Sequence, residues 1–118
     1  MKAKWSQLTK EQQDTFGNGC GLNIRLLNLK DKLLTASCRH HDFNYARGGT
    51  KEDRFKADSD FLVAMLRDIQ ESGMVLIERQ RYTRRAIIFY ILVRLFGWVA
   101  FKYGRYLSIE EVLEQDKK

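Results

Sequence analysis

The residues of this chain that are best suited to chemistry lie within one eight-residue segment, Cys38 to Tyr45. On a helix, positions i, i+3, i+4 and i+7 share one face. Four side chains of the segment have that spacing: Cys38, His41, Asp42 and Tyr45. His41 can act as a base near neutral pH, and Asp42 offers the oxygen ligands that calcium prefers. A base beside a metal ligand is typical of a hydrolytic site; the alternative is a His-Asp pair on a solvated helix face.

A second segment, Gly17 to Gly21, has glycines at alternate positions. Glycine permits a positive φ and a close approach of the backbone to a ligand. Such a loop can turn its carbonyl oxygens towards calcium, which accepts about six to eight oxygen ligands. It can also donate N–H groups to a developing oxyanion. The alternative is an ordinary turn after a short helix.

A third candidate is Asp58, which follows a predicted turn at Gly48-Gly49. Thr50 and Asp53 have the spacing of a capping box, which predicts a new helix from residue 51. At 1.5 Å per residue, His41 and Asp58 are roughly 9 and 12 Å from this turn. Two antiparallel helices would therefore place Asp58 across from His41, where a carboxylate can orient a catalytic histidine.

Asp60 is the competing acid on the same helix, and periodicity argues against it. An apolar stripe is predicted at Phe55, Leu62, Met65 and Ile69. Asp58 lies in the register of that stripe and Asp60 does not. A buried acid needs a partner, and His41 is the best candidate. A solvated position for Asp58 is the alternative.

Taken together, these motifs resemble the phospholipase A2 superfamily, in particular its short viral and bacterial (phage-type) branch. The family has a Gly-rich calcium loop, then Cys-x-x-His-Asp-x-x-Tyr, then a second helix with Ala-Asp-x-x-Phe. In this chain the corresponding segments are Gly17–Gly21, Cys38–Tyr45 and Ala57–Phe61. The match covers roughly residues 16 to 66. The motifs in this order are more specific than any one of them alone.

The resemblance implies calcium-dependent hydrolysis of the sn-2 ester of glycerophospholipids, without a covalent acyl-enzyme. His41 would be the base that activates water, and Asp58 would orient it. Tyr45 would hydrogen-bond to Asp58, and the N–H of Gly19 would help to hold the oxyanion. The calcium ligands would be the Asp42 carboxylate and the carbonyl oxygens of Gly17, Gly19 and Gly21.

The chain departs from the secreted members of the family. Asn44 stands where they usually have a cysteine, and only 16 residues separate His41 from Asp58. That interval leaves no room for the β-hairpin of the larger members, which favours the compact branch. A zinc site built from Cys20, Cys38, His40 and His41 is a less favoured alternative. His40 and His41 are consecutive and would point about 100° apart on a helix, so His40 is predicted to be a surface residue.

The chain has two cysteines, Cys20 and Cys38. The resemblance favours a disulfide between them, because related short members have cysteines in similar places. A bridge would contribute roughly 3 kcal/mol in the chain-entropy model. Two buried reduced thiols are the alternative. Residues 1–16 are polar and lack the apolar core of a signal peptide, so the compartment stays open; association with a virus particle is a hypothesis that follows from the family type.

The fold class predicted is all-α, in a chain of 118 residues without proline. Helices are predicted over residues 10–16, 28–47 and 51–71, with a break at Gly73 and a short acidic helix opened by a capping box at Ser108. The predicted division is a catalytic core over residues 1–80 and a basic and apolar C-terminal helical segment over residues 81–118. That segment is expected to pack on the same domain, on a membrane or on a partner.

Net charge is +6, and one basic cluster stands out. Its members are Arg79, Arg81, Arg84 and Arg85. A basic patch attracts anionic surfaces, either lipid or nucleic acid. No nucleic-acid recognition motif accompanies it, so a phospholipid surface is predicted, with Trp98 as a membrane-binding residue. A plain solvated helix face is the alternative for each arginine.

The apolar run Ala86–Phe101 is interrupted by Arg94 and Gly97. A membrane span needs about 20 apolar residues, and a central arginine would add roughly 3 kcal/mol to insertion. A buried helix or one that lies in the membrane interface is therefore favoured over a span. Assembly of several copies or of a larger particle through residues 82–106 is a further expectation. The rival functions are a non-catalytic relative that binds membranes or assembles particles, and a holin-like membrane protein.

Overall fold

The computed structural model describes residues 3–17 and 32–116. These residues form five α-helices and two short 3-10 helices: a 3-10 turn at Trp5–Gln7, α1 at Lys10–Thr15, α2 at Lys32–Arg47, α3 at Lys51–Glu71, α4 at Leu76–Phe96, a 3-10 turn at Gly97–Val99, and α5 at Ile109–Asp116. Within the described part no strand is present beyond one isolated bridge between Gly49 and Tyr103. The all-α prediction is confirmed for these residues.

Capping boxes set the starts of three helices. Thr9 accepts from the N–H of Gln12 at the start of α1, and Thr50 accepts from that of Asp53 at the start of α3. Ser108 does the same for α5, with a return bond from its own N–H to Glu111. The predicted bounds of α3 match the structure, and α1 is one residue shorter than predicted. The predicted start of α2, at residue 28, lies outside the described residues.

Helices α2 and α3 run antiparallel because the turn between them is three residues long. Gly48 has a φ of 79°, which ends α2. A side chain at Gly48 would also collide with the carbonyl oxygen of Lys102. The C-terminal segment crosses the turn here, since the N–H of Gly49 donates to Lys102 and that of Leu107 donates to Arg47.

The core has two main parts. The larger one lies between α2, α3 and α4, and its buried members are Leu34, Cys38, Phe61, Met65, Ile69, Ala86, Phe89 and Val93. The smaller one joins the two ends of the described chain, and its buried members are Ala3, Leu8, Phe16, Phe43, Leu107 and Val112. Helix α4 spans the boundary predicted between the catalytic core (residues 1–80) and the C-terminal segment (residues 81–118). Helix α5 packs on the N-terminal residues.

The predicted apolar stripe of α3 is wrong at Phe55, which is 56% exposed. Met65 and Ile69 are buried as predicted, and Leu62 is partly buried. The residue buried at this end of α3 is the preceding one, Arg54. Its side chain donates hydrogen bonds to the end of α4. A buried arginine takes the place that periodicity assigned to an aromatic ring.

The apolar run Ala86–Phe101 is neither one helix nor wholly buried. Ala86, Phe89 and Val93 face the core, whereas the opposite side of α4 is exposed at Ile87, Ile88, Ile91 and Leu95. Helix α4 begins at Leu76 and ends at Phe96, before the run does. Over residues 3–17 and 32–116, no helix combines the length and the apolar character that a membrane crossing requires.

Candidate active site

The structure brings His41 of α2 and Asp58 of α3 into direct contact across the helix hairpin. The Nε2 atom of His41 lies 2.7 Å from Oδ1 of Asp58. Both residues are buried, with 7% and 0% of their surface exposed. The His41 ring packs against Phe61, at 4.4 Å between ring centroids, and against Tyr45 at 4.3 Å. These contacts fix the ring with Nε2 towards Asp58.

Asp58 receives hydrogen bonds from three side chains. Tyr45 donates to Oδ1 at 2.6 Å, and Arg94 donates to Oδ2 at 2.7 Å, in addition to the His41 contact. Burial opposes ionisation of Asp58, but the bonds from His41, Tyr45 and Arg94 outweigh it and hold the pKa of this carboxyl below its ordinary value. Asp58 is therefore a buried carboxylate that stays charged.

Tyr45 is the predicted supporting residue, and the structure places its hydroxyl on Asp58. Burial, together with the hydrogen bond to Asp58, raises the pKa of the phenol well above its ordinary value, so Tyr45 remains a donor. Its hydroxyl fills the space beside Gly97, where a Cβ atom would overlap it. Gly97, which in the sequence only interrupts the apolar run, thus leaves the space that the Tyr45 hydroxyl occupies.

Substitution Gly97→Ala is expected to destabilise the protein by about 1–3 kcal/mol, because the added methyl group overpacks a filled site. It should also displace the Tyr45 hydroxyl from Asp58. Thermal denaturation of Gly97→Ala, Tyr45→Phe and the double variant measures the coupling. Removal of the hydroxyl should relieve much of the overlap, so the two effects should be non-additive. Simple additivity would show that the methyl group does not meet Tyr45.

Sequence reasoning missed two arginines of the site, Arg54 and Arg94. Arg54 is 9% exposed and donates from Nη2 to the carbonyl oxygens of Val93 and Arg94, at 2.9 and 2.8 Å. Both carbonyl groups lie near the C-terminal end of α4, and that of Val93 also accepts from the N–H of Gly97. A signal was present in the sequence, because Arg54 precedes Asp58 by four residues and Arg94 is a lone cation in an apolar run.

The predicted calcium loop is described only at its first residue, Gly17; Gly19 and Gly21 lie outside the described residues. Gly17 has a φ of 67°, and a Cβ atom there would lie 2.5 Å from Oδ2 of Asp42. Phe16 and Phe43 are in edge contact at 5.5 Å, which brings the start of the loop to the Asp42 carboxylate. The backbone of Gly17 and the carboxylate of Asp42 are thus adjacent.

Cys38 is disulfide-bonded. Cys20 is the other cysteine of the chain, but it lies outside the described residues, so the pairing stays a prediction. The zinc alternative is disfavoured: His40 is exposed and stacks on Trp5 at 4.6 Å, whereas His41 faces Asp58. In the part of the chain that the structure describes, no three His, Cys, Asp or Glu side chains form a metal-binding group.

Comparisons with known proteins give no match. No family model, curated protein or solved structure is significantly similar to this chain. The resemblance to phospholipases A2 therefore stays a prediction that rests on the motifs and on the geometry of the site.

The predicted membrane-binding residues lie along α4 and just after it. Arg81, Arg84 and Arg85 are exposed, Arg79 is partly buried, and Trp98 is 60% exposed. Arg85 and Trp98 are 13 residues apart, which is about 20 Å along a helix. Between them the outer side of α4 is apolar at Ile88, Ile91 and Leu95. The arginines and Trp98 therefore do not form a single cluster: the arginines lie on α4 and Trp98 lies in the 3-10 turn after it.

Proposed function

We propose that this protein hydrolyses the sn-2 ester of glycerophospholipids, using a water molecule that His41 activates and calcium as cofactor. The observation that carries the proposal is the buried pair of His41 and Asp58, in which Nε2 lies 2.7 Å from Oδ1. A histidine oriented by a buried carboxylate is the arrangement that a general base requires. The motif order of the sequence supports the same reaction.

In the proposed reaction, Nδ1 of His41 takes a proton from water as the water attacks the ester carbonyl. Asp58 stabilises the resulting imidazolium through Nε2 and keeps the ring in place. The imidazolium then returns its proton to the glycerol oxygen as the ester C–O bond breaks. The products are a free fatty acid and a lysophospholipid, and no covalent intermediate with the protein is required.

Two described residues, Asp42 and Gly17, support the proposal of a calcium ion. Asp42 supplies a carboxylate, and Gly17 brings its backbone close to that carboxylate in a conformation that a larger residue would not tolerate. Carboxylate and carbonyl oxygens are typical calcium ligands. When bound, calcium would stabilise negative charge that develops on the substrate ester oxygen. Gly19 and Gly21 are proposed as further ligands from the motif alone, with the N–H of Gly19 as an oxyanion donor.

A membrane surface is the proposed site of action. The exposed side of α4 is basic at Arg81 and Arg84 and apolar at Ile88, Ile91 and Leu95. A surface with cationic and apolar parts side by side suits the interface of an anionic bilayer. The same surface supports the second candidate function, a non-catalytic module that binds membranes or assembles particles.

The test is release of fatty acid from vesicles whose phospholipid carries a labelled sn-2 chain, in the presence of calcium or of a chelator. We expect release from the sn-2 position with calcium and none with the chelator. Asp42→Asn should raise the calcium concentration needed for half-maximal release by roughly 10-fold or more. The matched control is Asp60→Asn on α3, since Asp60 is exposed and pairs with Lys56.

Calcium binding measured by calorimetry gives a second readout that needs no turnover. If wild type and Asp42→Asn bound calcium with equal affinity, Asp42 would not be a calcium ligand. Release that persists with the chelator would contradict the role of calcium. Vesicle binding without release, by protein whose helical circular dichroism is intact, would favour the non-catalytic module.

A further inference from the structure

Arg94 is the one basic residue of the apolar run Ala86–Phe101, and its side chain turns towards the site. Its Nη1 atom lies 2.7 Å from Oδ2 of Asp58, and 31% of the side chain is exposed. The guanidinium also lies over the ring of Phe55, at 5.2 Å from the ring centroid. The exposed ring of Phe55 on α3 thus has a cationic partner in Arg94.

The two oxygens of Asp58 have different partners. Oδ1 lies against His41 and Tyr45 of α2, whereas Oδ2 accepts from Arg94 of α4. A carboxylate that is held at both oxygens cannot rotate about its Cβ–Cγ bond without losing a charge-assisted hydrogen bond. The contact of Arg94 therefore fixes the plane in which Oδ1 meets His41.

Arg54 is the other cation near Asp58, and it has a different task. Its Nε atom is 3.9 Å from Oδ2 of Asp58, which is longer than a hydrogen bond. That Nε atom donates to the Tyr45 hydroxyl at 3.4 Å, and the Nη2 atom donates to the carbonyl oxygens of Val93 and Arg94. Arg54 thus holds the end of α4 against α3. In this position of α4, the side chain of Arg94 reaches Asp58.

We infer that Arg94 is a positioning residue for the proposed hydrolysis, which it serves by holding the Asp58 carboxylate in the orientation that His41 requires. The inference rests on the proposed function, and it adds α4 to the machinery that the motifs of α2 and α3 define. It also gives a function to the one charged residue of the apolar run Ala86–Phe101.

The test compares Arg94→Gln, Arg94→Lys and the control Arg67→Gln, an exposed arginine of α3. Arg94→Gln should lower kcat by roughly 10- to 100-fold, as substitutions of supporting residues do, with the half-saturating lipid concentration unchanged. Arg94→Lys should recover a large part of the rate, and Arg67→Gln should stay within about twofold of wild type. Vesicle binding is measured in parallel, because a surface cation would affect binding and not kcat.

Chemical rescue shows whether a loss of activity comes from the missing guanidinium group of Arg94 or from a general loss of packing. Guanidinium ion should restore activity to Arg94→Ala, whereas urea, which has a similar shape and no charge, should not. A loss confined to vesicle binding would overturn the inference, as would equal rates for Arg94→Gln and wild type. Equal defects in Arg94→Lys and Arg94→Gln without guanidinium rescue would also overturn it.

A readout independent of activity keeps this inference distinct from the proposed function. The 13C resonance of the Asp58 carboxyl, assigned by its loss in Asp58→Asn, can be followed against pH. Arg94→Gln should move its titration to higher pH, because a hydrogen bond to the charged form is lost. An unchanged titration would overturn the inference. If Arg94→Gln shifts the titration but the wild-type protein releases no fatty acid, the proposed reaction is refuted and the contact of Arg94 with Asp58 is established.

Discussion

Substitution His41→Gln is expected to abolish most phospholipid hydrolysis, with a loss of roughly 10²- to 10⁴-fold in kcat. Glutamine can reach Asp58 with an amide N–H in the place of Nε2, but it has no basic nitrogen in the place of Nδ1. The change therefore removes the base and retains the buried hydrogen bond. Release of the sn-2 acyl chain from vesicles, at saturating calcium, measures the loss.

The neighbouring residue provides the matched control. His40 lies on the same helix but is exposed and stacked on Trp5, so His40→Gln should retain near wild-type activity. Helical circular dichroism and vesicle binding should be unchanged in both variants. Comparable losses in His40→Gln and His41→Gln, or a loss of less than about tenfold in His41→Gln, would show that His41 is not the base.

Local signals in the sequence predict the hairpin of α2 and α3 and the pair of residues, His41 and Asp58, that face each other across it. The capping box of Thr50 and Asp53 and the glycines before it determine where α3 begins, and helix geometry then places Asp58 opposite His41. All of this information lies within about 20 residues of chain, so it can be read without knowledge of tertiary packing. The Tyr45 contact with Asp58 follows from the motif resemblance.

The contribution of α4 could not be predicted in the same way. Arg94 reaches Asp58 across 36 residues of sequence, and only the packing of α4 on α3 brings them together. The burial of Arg54 in place of the predicted Phe55 has the same cause, because the Arg54 guanidinium donates to two carbonyl oxygens at the end of α4. Apolar periodicity predicts that Phe55 is buried, because it takes account only of hydrophobic residues and not of hydrogen-bond acceptors on another helix.

The same packing gives Asp58 an expected role in stability. Its carboxylate is fully buried and accepts from His41, Tyr45 and Arg94. In Asp58→Asn the amide has one acceptor oxygen and one NH₂ group. If the oxygen stays with His41 and Tyr45, the NH₂ group faces the donor Arg94. A buried pair that loses one partner typically costs about 3–5 kcal/mol; Arg94 can turn partly towards water, so we expect about 2–4 kcal/mol.

This loss should depend on pH in a defined direction. Because the pKa of Asp58 is lowered in the folded protein, its charge stabilises the fold at pH values above the unfolded-state pKa of about 3.9. The contribution is then lost as the pH falls through the lower folded-state pKa. The difference in unfolding free energy between wild type and Asp58→Asn should therefore keep its full size at pH values well above about 3.9 and shrink as the pH falls below about 4.

Urea denaturation at neutral pH and at several acidic values, followed by circular dichroism, measures this difference. Asp60→Asn is the control on the same helix, because its carboxylate is exposed and its pair with Lys56 is a surface ion pair. It should change the unfolding free energy little at any pH. If the difference between Asp58→Asn and wild type were independent of pH, the carboxylate would not be charged in the folded protein, and the imidazolium of His41 would have no anionic partner.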